Sequence, residues 1–302
     1  MIVKLKPALK SYLWGGKNLK TKWNKQSGEN TLSESWELSF HKDGLALIDG
    51  GELDGKPLAD VAERKDWGDN CKDFPFFPVL SKLIDSAQAL SIQVHPSDDY
   101  ALRYEGQFGK TEMWYILDAE KDAFLYLGFN RSVTEEEFSY AIENNTICEL
   151  LNKVPVKAGE TYFIPSGTIH AIGAGVTLYE VQQNSSLTYR VYDFDRVDAN
   201  GNRRPLHVEK AKAVANLNKY DVPIPIRGAL LGKCKYFTAF RYSGNGTIVC
   251  KGTFSAITAL CGEVKIGNIV LHKGETAFMS AGEKAAVAAD GEYIVICVEK
   301  DS

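Results

Sequence analysis

One stretch of the chain is written twice. "KAGETYFIPSGTIHAI" at 157–172 returns in altered form as "HKGETAFMSAGEKAAV" at 272–287. At a single offset, Gly159, Glu160 and Thr161 fall on Gly274, Glu275 and Thr276, Phe163 on Phe278, and Gly167 on Gly282. An apolar stretch follows each copy, "VTLYEVQ" and "EYIVICVE". A repeated sequence unit implies a repeated supersecondary unit, so the chain is expected to hold two related β units. The copies part at one position. The offset carries His170 onto Ala285, leaving a side chain able to ligate a metal in the first unit and a methyl group in the second.

The rest of the chain agrees with a mainly β fold. "FPVLSKLID", "ALSIQVH", "EMWYILD", "AFLYLGF", "TYFIPSG" and "VTLYEVQQ" are rich in β-branched and aromatic residues and are separated by turns, as strands of a sandwich or barrel are. Three segments read as helices: "SDDYALRYEG", with Ser97 as N-cap after Pro96; "SVTEEEFSYAIENN", where Thr134 and Glu137 have capping-box spacing; and "LHVEKAKAVANL". The proline-rich "YDVPIPIRG", 220–228, reads as a linker. With 302 residues, one large or two ordinary domains are expected. We divide the chain into an N-terminal part, 1–225, with a short helical insertion at about 131–153, and a C-terminal β domain, 226–302.

Charge and cysteine usage narrow the setting. Thirty-five Lys and Arg stand against 39 Asp and Glu, a net charge of −4, and no basic stripe is visible, so nucleic acid is not an expected partner. No stretch is long or apolar enough to span a membrane. The N-terminus has no signal-peptide pattern. Six scattered cysteines without a C-x-x-C pair fit a reducing cytoplasm. An anionic small molecule stays compatible, because a few local cations can hold it.

The first repeat copy spaces Gly159, Pro165, Gly167 and His170 as the second conserved motif of the cupin β-barrels does. Its glycines allow tight turns, and the histidine then opens a strand. A second signal lies upstream in "SIQVHP", 91–96. Residues two apart on a strand face one side, so Gln93 and His95 point together. Taken alone, such a pair is most simply a solvated strand face. Cupins, however, bring two ligands from one strand and a carboxylate from the next, and Glu112 in "GKTEMWYIL" has that place. The helical "SDDYALRYEG" fills the interval. Two imidazoles, a carboxylate and an amide oxygen suit a divalent ion with room for water or substrate.

Taken together, "FPVLSKLIDSAQALSIQVHPSDDYA", "GKTEMWYIL", "IPSGTIHAI" and "NSSLTYRVYDFDR" resemble the type I mannose-6-phosphate isomerases, most closely their shorter bacterial members. "SYLWGG" and "SESWELSFH" fall where that family has its N-terminal blocks. The resemblance implies two cupin-like β-barrels (a bicupin) with a small helical insertion, the second barrel degenerate. It implies one zinc ion per chain, on Gln93, His95, Glu112 and His170. It matches the family's active-site arginine to Arg190 and its lysine beside the carboxylate ligand to Lys110. The segment "VYDFDRVD" after Arg190 departs from many longer members, which carry an Ala-Gly-containing segment there.

The implied reaction interconverts mannose 6-phosphate and fructose 6-phosphate through an enediol, with a phosphorylated hexose as substrate. Zinc would serve as Lewis acid; Lys110 and Arg190 would supply positive charge to the substrate and act in catalysis. For the base, hydroxide on the metal, His41, Lys110 and Asp193 all stand open. Arg190 has a plainer alternative, an ion pair with Asp193 or Asp195. Trp14 is a substrate-stacking candidate that could equally fill a core. His207 and His272 are taken as structural. Two other functions compete: an iron-dependent cupin oxygenase, and a sugar-binding bicupin without catalysis. Whether the protein is a monomer or a homodimer is not encoded in these motifs.

Overall fold

The computed structural model describes residues 1–197 and 200–300. Its strands gather in four sheets. A six-stranded sheet carries, in spatial order, Thr161–Ile164, Glu112–Ala119, Val176–Gln183, Val79–Ser86, Glu34–Leu38 and Ala8–Lys10. A five-stranded sheet carries Tyr189–Tyr192, Ile92–Val94, His170–Ile172, Phe124–Phe129 and Leu151–Pro155. A seven-stranded sheet carries Leu230–Lys233, Thr238–Ser243, Glu292–Cys297, Ser255–Ala259, Thr276–Met279, Ile2–Lys6 and Leu47–Asp49. The fourth sheet has Gly246–Val249, Lys284–Ala289, Glu263–Ile266 and Ile269–His272.

Side-chain alternation stacks these sheets. Along Val176–Gln183, Val176 and Leu178 enter the core shared with the five-stranded sheet, while Tyr179 and Val181 enter the core shared with the seven-stranded sheet. Val79–Ser86 divides in the same way, with Val79 and Leu83 on one side and Ile84 on the other. Both strands are therefore buried along their whole length, as expected for strands covered on two faces. The seven-stranded sheet packs its far face on the four-stranded one through Ile257, Met279 and Val295 against Val264, Leu271 and Val287. The six- and five-stranded sheets thus form one facing pair and the seven- and four-stranded sheets another. Among the described residues, neither pair joins edge to edge into a closed sheet.

The repeat is visible in the backbone. Thr161–Ile164 pairs with Glu112–Ala119, which pairs with Val176–Gln183. Thr276–Met279 pairs with Ser255–Ala259, which pairs with Glu292–Cys297. Gly159 and Gly274 have φ of 85° and 84°, and Gly167 and Gly282 have 85° and 86°, a region that L side chains rarely adopt. Pairing also ties the chain's ends together: Ile2–Lys6 lies beside Thr276–Met279. Residues of 220–228 run along the edge of the six-stranded sheet, where Ile226 exchanges backbone hydrogen bonds with Thr161.

Helices cover the outer face of the five-stranded sheet. In Glu135–Glu143, Thr134 Oγ1 accepts from Glu137 N at 3.1 Å, and Glu137 Oε2 accepts from Thr134 N at 2.9 Å. That capping box starts a helix which, with Val208–Val214, buries Phe138, Ile142 and Ala211 on Ile92, Val94 and Val191. The helix Asp98–Tyr104 follows Ser97, whose backbone is extended but whose side chain makes no cap bond. Asp98 Oδ1 instead accepts from Gly109 N and Gln183 Nε2, at 2.9 and 2.7 Å. Those bonds fold the helix back and set Lys110 and Glu112 beside His95. No helix among the described residues is long and apolar enough to cross a membrane.

Candidate active site

Strand pairing brings the expected metal donors together. His170 sits opposite Gln93, and Gln93 opposite Arg190, so these three residues form one row across the five-stranded sheet. The facing sheet contributes Glu112 from the start of its strand. His95, Glu112 and His170 are all buried, with potential ligand atoms within 4.8 Å of one another, and they form the single such group among the described residues.

Each donor is oriented by a second contact. His95 Nδ1 lies 2.7 Å from Leu187 O, and His170 Nδ1 lies 2.9 Å from Thr168 O. A backbone carbonyl on Nδ1 fixes the proton there and leaves the Nε2 lone pair free to ligate. Burial lowers both imidazoles, with the positive charge of Lys110 adding to it, and His170 falls to about 3. Both rings are therefore neutral near pH 7. Burial also pushes Glu112 up to about 8, against the pull of Lys110 and with some repulsion from Glu180. Glu112 Oε1 is buried without a hydrogen-bond partner among the described residues, 3.3 Å from His170 Nε2. Two neutral imidazoles and an orphaned carboxylate oxygen fit a divalent cation well. Gln93 Nε2 lies 3.3 Å from His170 Nε2; a half-turn of its carboxamide puts Oε1 in that place.

A row of charge runs beside the donors. Trp36, Lys82, Glu180, Trp114 and Tyr162 are successive cross-strand neighbours in the six-stranded sheet, so their side chains share one face. Lys82 Nζ is 3.1 Å from Glu180 Oε1 and 3.6 Å from Glu34 Oε2, and Trp114 Nε1 donates to Glu180 Oε2 at 2.9 Å. Lys110 Nζ lies 3.1 Å from His95 Nε2, 3.8 Å from Glu180 Oε2, and against Glu112 Oε2. Burial alone would raise Glu180, yet Lys110 and Lys82 together hold it well below the usual carboxylate range. The carboxylate therefore stays ionised between two cations.

These groups border a cavity of about 360 Å³ between the two sheets. Gln93, Lys110, Glu180, Lys82 and Trp114 line it, and so do Arg190, Arg204, Ser91 and Thr188. Arg190 does not form the ion pair that its neighbours in sequence would allow. Its Nε donates to Ser91 Oγ at 3.2 Å and one terminal nitrogen to Pro205 O at 3.0 Å, while Asp193 is held by Arg196 and Arg204, and Asp195 by Arg203. Trp14 is buried in the core and also forms cavity wall. His41 does not border the cavity, and its Nε2 lies 3.0 Å from Gln107 Oε1. His207 receives the Arg190 backbone N–H, and His272 is exposed.

Lys82, Glu180, Glu34 and Arg204 escaped the sequence reading. A signal was there for two of them. Lys82 in "FPVLSKLID" and Glu180 in "VTLYEVQQ" interrupt runs otherwise suited to full burial, and a buried charge requires a partner of opposite sign.

Known proteins resemble the chain along most of its length. A mannose-6-phosphate isomerase of Streptococcus mutans is 35% identical over 87% of this chain and 87% of its own. The chain belongs to the type I phosphomannose isomerase family. The family model for the "Phosphomannose isomerase type I, catalytic domain" matches residues 2–123, the part that carries Gln93, His95, Lys110 and Glu112. The Bacillus subtilis mannose-6-phosphate isomerase ManA is 37% identical over 85% of both chains. A crystal structure of a mannose 6-phosphate isomerase from Bacillus subtilis superposes with a TM-score of 0.88 at 30% identity, covering 98% of this chain and 99% of that one. The phosphomannose isomerase likeness therefore extends over the second facing pair of sheets as well as the first.

Proposed function

We propose that the chain is a zinc-dependent isomerase, cytoplasmic, that interconverts mannose 6-phosphate and fructose 6-phosphate through an enediol. The carrying observation is the convergence of His95, Glu112 and His170, with Gln93 beside His170, next to a cavity lined by Gln93, Lys110 and Arg190, in a chain of this family. Gln93, His95, Glu112 and His170 would hold one zinc ion per chain. The ion, when bound, would supply Lewis acidity toward the substrate's oxygens. Lys110 stands against Glu112 and next to Glu180; with its own proton given up, its neutral amine would take the proton from C2 of the aldose and return it at C1. Of the other protein bases considered, His41 is turned away from the cavity and Asp193 is engaged by two arginines. Arg190 offers positive charge to the oxygens of the enediol state. Trp14, Trp36 and Trp114 wall the cavity and limit water.

The two facing pairs of sheets are read as two cupin-like barrels, supported by their matching strand order and glycine backbone. The first lies within 1–225, with its helical insertion at about 131–153. The second is 226–302, to which Ile2–Lys6 and Leu47–Asp49 add two strands. Ala285, at the position of His170, leaves that second unit without the corresponding donor.

A coupled assay on zinc-loaded protein tests the function. Fructose 6-phosphate should appear from mannose 6-phosphate, stop on chelation and return with zinc, and elemental analysis should give one ion per chain. His170→Ala should lose metal and turnover together while the far-ultraviolet circular dichroism of the sheets persists. No product from the metal-loaded wild type would refute the proposal.

A further inference from the structure

Two sets of groups face the cavity. One is Gln93, of the donor set, with Lys110 and Glu180. The other is Arg190 and Arg204 with the hydroxyls of Ser91 and Thr188, while the Ser186 hydroxyl donates to Asp43 Oδ2 at 3.0 Å. Arg204 comes from beyond the segment in which this chain departs from longer family members. Its backbone neighbour Pro205 accepts from Arg190, so the two guanidinium groups are brought to one rim. They feel each other: burial, and next the charge of Arg204, lower Arg190.

Asp193 fixes Arg204. The carboxylate is 6% exposed, and Arg204 Nε and a terminal nitrogen donate to its two oxygens at 2.7 and 2.5 Å. Arg196 donates to the same carboxylate. One negative charge thus serves two arginines, while Arg190 has no carboxylate partner among the described residues. Three guanidinium groups thus gather around one carboxylate, and of them Arg190 and Arg204 face the cavity, which Asp43 also lines. Because Nε and one terminal nitrogen of Arg204 are engaged by Asp193, the guanidinium is held in a fixed plane with its remaining N–H groups available. Fixed guanidinium edges beside hydroxyls make a recognition site for a phosphomonoester dianion. An open-chain hexose phosphate has its carbonyl at one end and its phosphate at the other, and a cavity lined both by Gln93 with Lys110 and by Arg204 offers a partner to each.

We infer that Arg204, held in place by Asp193 and set beside Arg190, grips the substrate's phosphate and determines the preference for phosphorylated sugars. Arg204 is the specificity-determining residue and Asp193 its positioning residue. This inference rests on the isomerase proposal for its substrate, but its test does not rest on turnover. The probes are mannitol 6-phosphate, which has the chain and phosphate without a carbonyl to isomerise, and mannitol. Calorimetric titration of metal-loaded wild type, Arg204→Ala, Arg204→Lys and Asp193→Asn measures binding directly.

Arg204→Ala should weaken mannitol 6-phosphate by roughly 10- to 100-fold, the scale of a lost charge-assisted hydrogen bond, and leave mannitol unchanged. Arg204→Lys should recover part of the loss, and Asp193→Asn should lose part of the affinity for the phosphate alone. In steady-state kinetics the KM for mannose 6-phosphate should rise by the same factor as the binding loss, with kcat much less affected. Equal weakening of both probes, or unchanged binding of mannitol 6-phosphate by Arg204→Ala, would overturn the assignment. Unchanged binding by Asp193→Asn would remove Asp193 from it. Should Arg204→Ala not fold, Arg204→Lys with intact metal content decides: affinity equal to wild type for the phosphate probe and its loss for mannitol both count against the inference. A wild type that binds mannitol 6-phosphate far better than mannitol yet fails to isomerise would refute the isomerase and leave the phosphate grip standing.

Discussion

Arg190 occupies a position that its neighbours define. It is the third member of the row His170–Gln93–Arg190, yet it ligates nothing and pairs with no carboxylate among the described residues. Among the described residues its guanidinium is tethered by Ser91 Oγ and Pro205 O, so replacement should disturb charge at the cavity more than packing. Arg190→Ala should therefore remove roughly 3–4 kcal/mol of transition-state stabilisation, by analogy with the loss of one oxyanion donor. The check is kcat for mannose 6-phosphate beside zinc content and melting temperature; unchanged turnover with zinc bound would return Arg190 to a structural role. The four donor candidates were legible in the sequence because motif spacing and strand alternation are local. Lys82 and Glu180 left only the signal of a charge within an apolar run, since what pairs them is a strand pairing that joins residues far apart in the chain. Arg204 was hidden for the same reason: what marks it is the buried Asp193 that holds it, and burial cannot be read from "NRRPLH".

At the scale of elements, short signals were the reliable ones. The Thr134–Glu137 spacing became a complete capping box, and Gly159 and Gly167 took the backbone that their repeat partners share. Ser97 shows the limit. It begins a helix, but Asp98 makes the bonds that anchor it, to Gly109 and Gln183. The pairing of Ile2–Lys6 with Thr276–Met279 had no local signal at all, because register between distant strands is set by packing. The helix Glu135–Glu143 gives a direct test of how much its start contributes. Thr134→Ala removes one of two reciprocal cap bonds at an exposed site and should cost about 1 kcal/mol, read as a lowered urea midpoint with an unchanged slope. Turnover should be unaffected, since that helix packs on the outer face of the five-stranded sheet, away from the cavity. A midpoint equal to wild type would mean that tertiary packing alone fixes the helix start.

In the whole molecule, the two facing pairs of sheets meet across a buried polar chain. Glu37, on the six-stranded sheet, is 0% exposed and lies 2.6 Å from Lys25 Nζ, itself 7% exposed. Lys25 also donates to Gly274 O at 2.5 Å, and Thr276 donates to Glu37 at 3.3 Å, both from the second repeat copy. Thr276 continues to Thr258 at 2.9 Å, and Thr258 to Tyr179 at 2.8 Å, back on the six-stranded sheet. Gly274 permits this contact, because a Cβ there would lie 2.7 Å from Trp23 O. The ion pair thus sits where an apolar layer would otherwise be continuous, among Leu5, Leu38, Tyr179 and Phe278. Burying two charges is expensive, and their attraction offsets that cost only while both are present. Removing one partner should therefore do more harm than removing both. Glu37→Leu and Lys25→Met should each destabilise by roughly 3–5 kcal/mol, while the double variant should regain much of that loss. Urea unfolding of the four proteins closes the cycle. Additive effects of the two substitutions would show that the pair is not coupled.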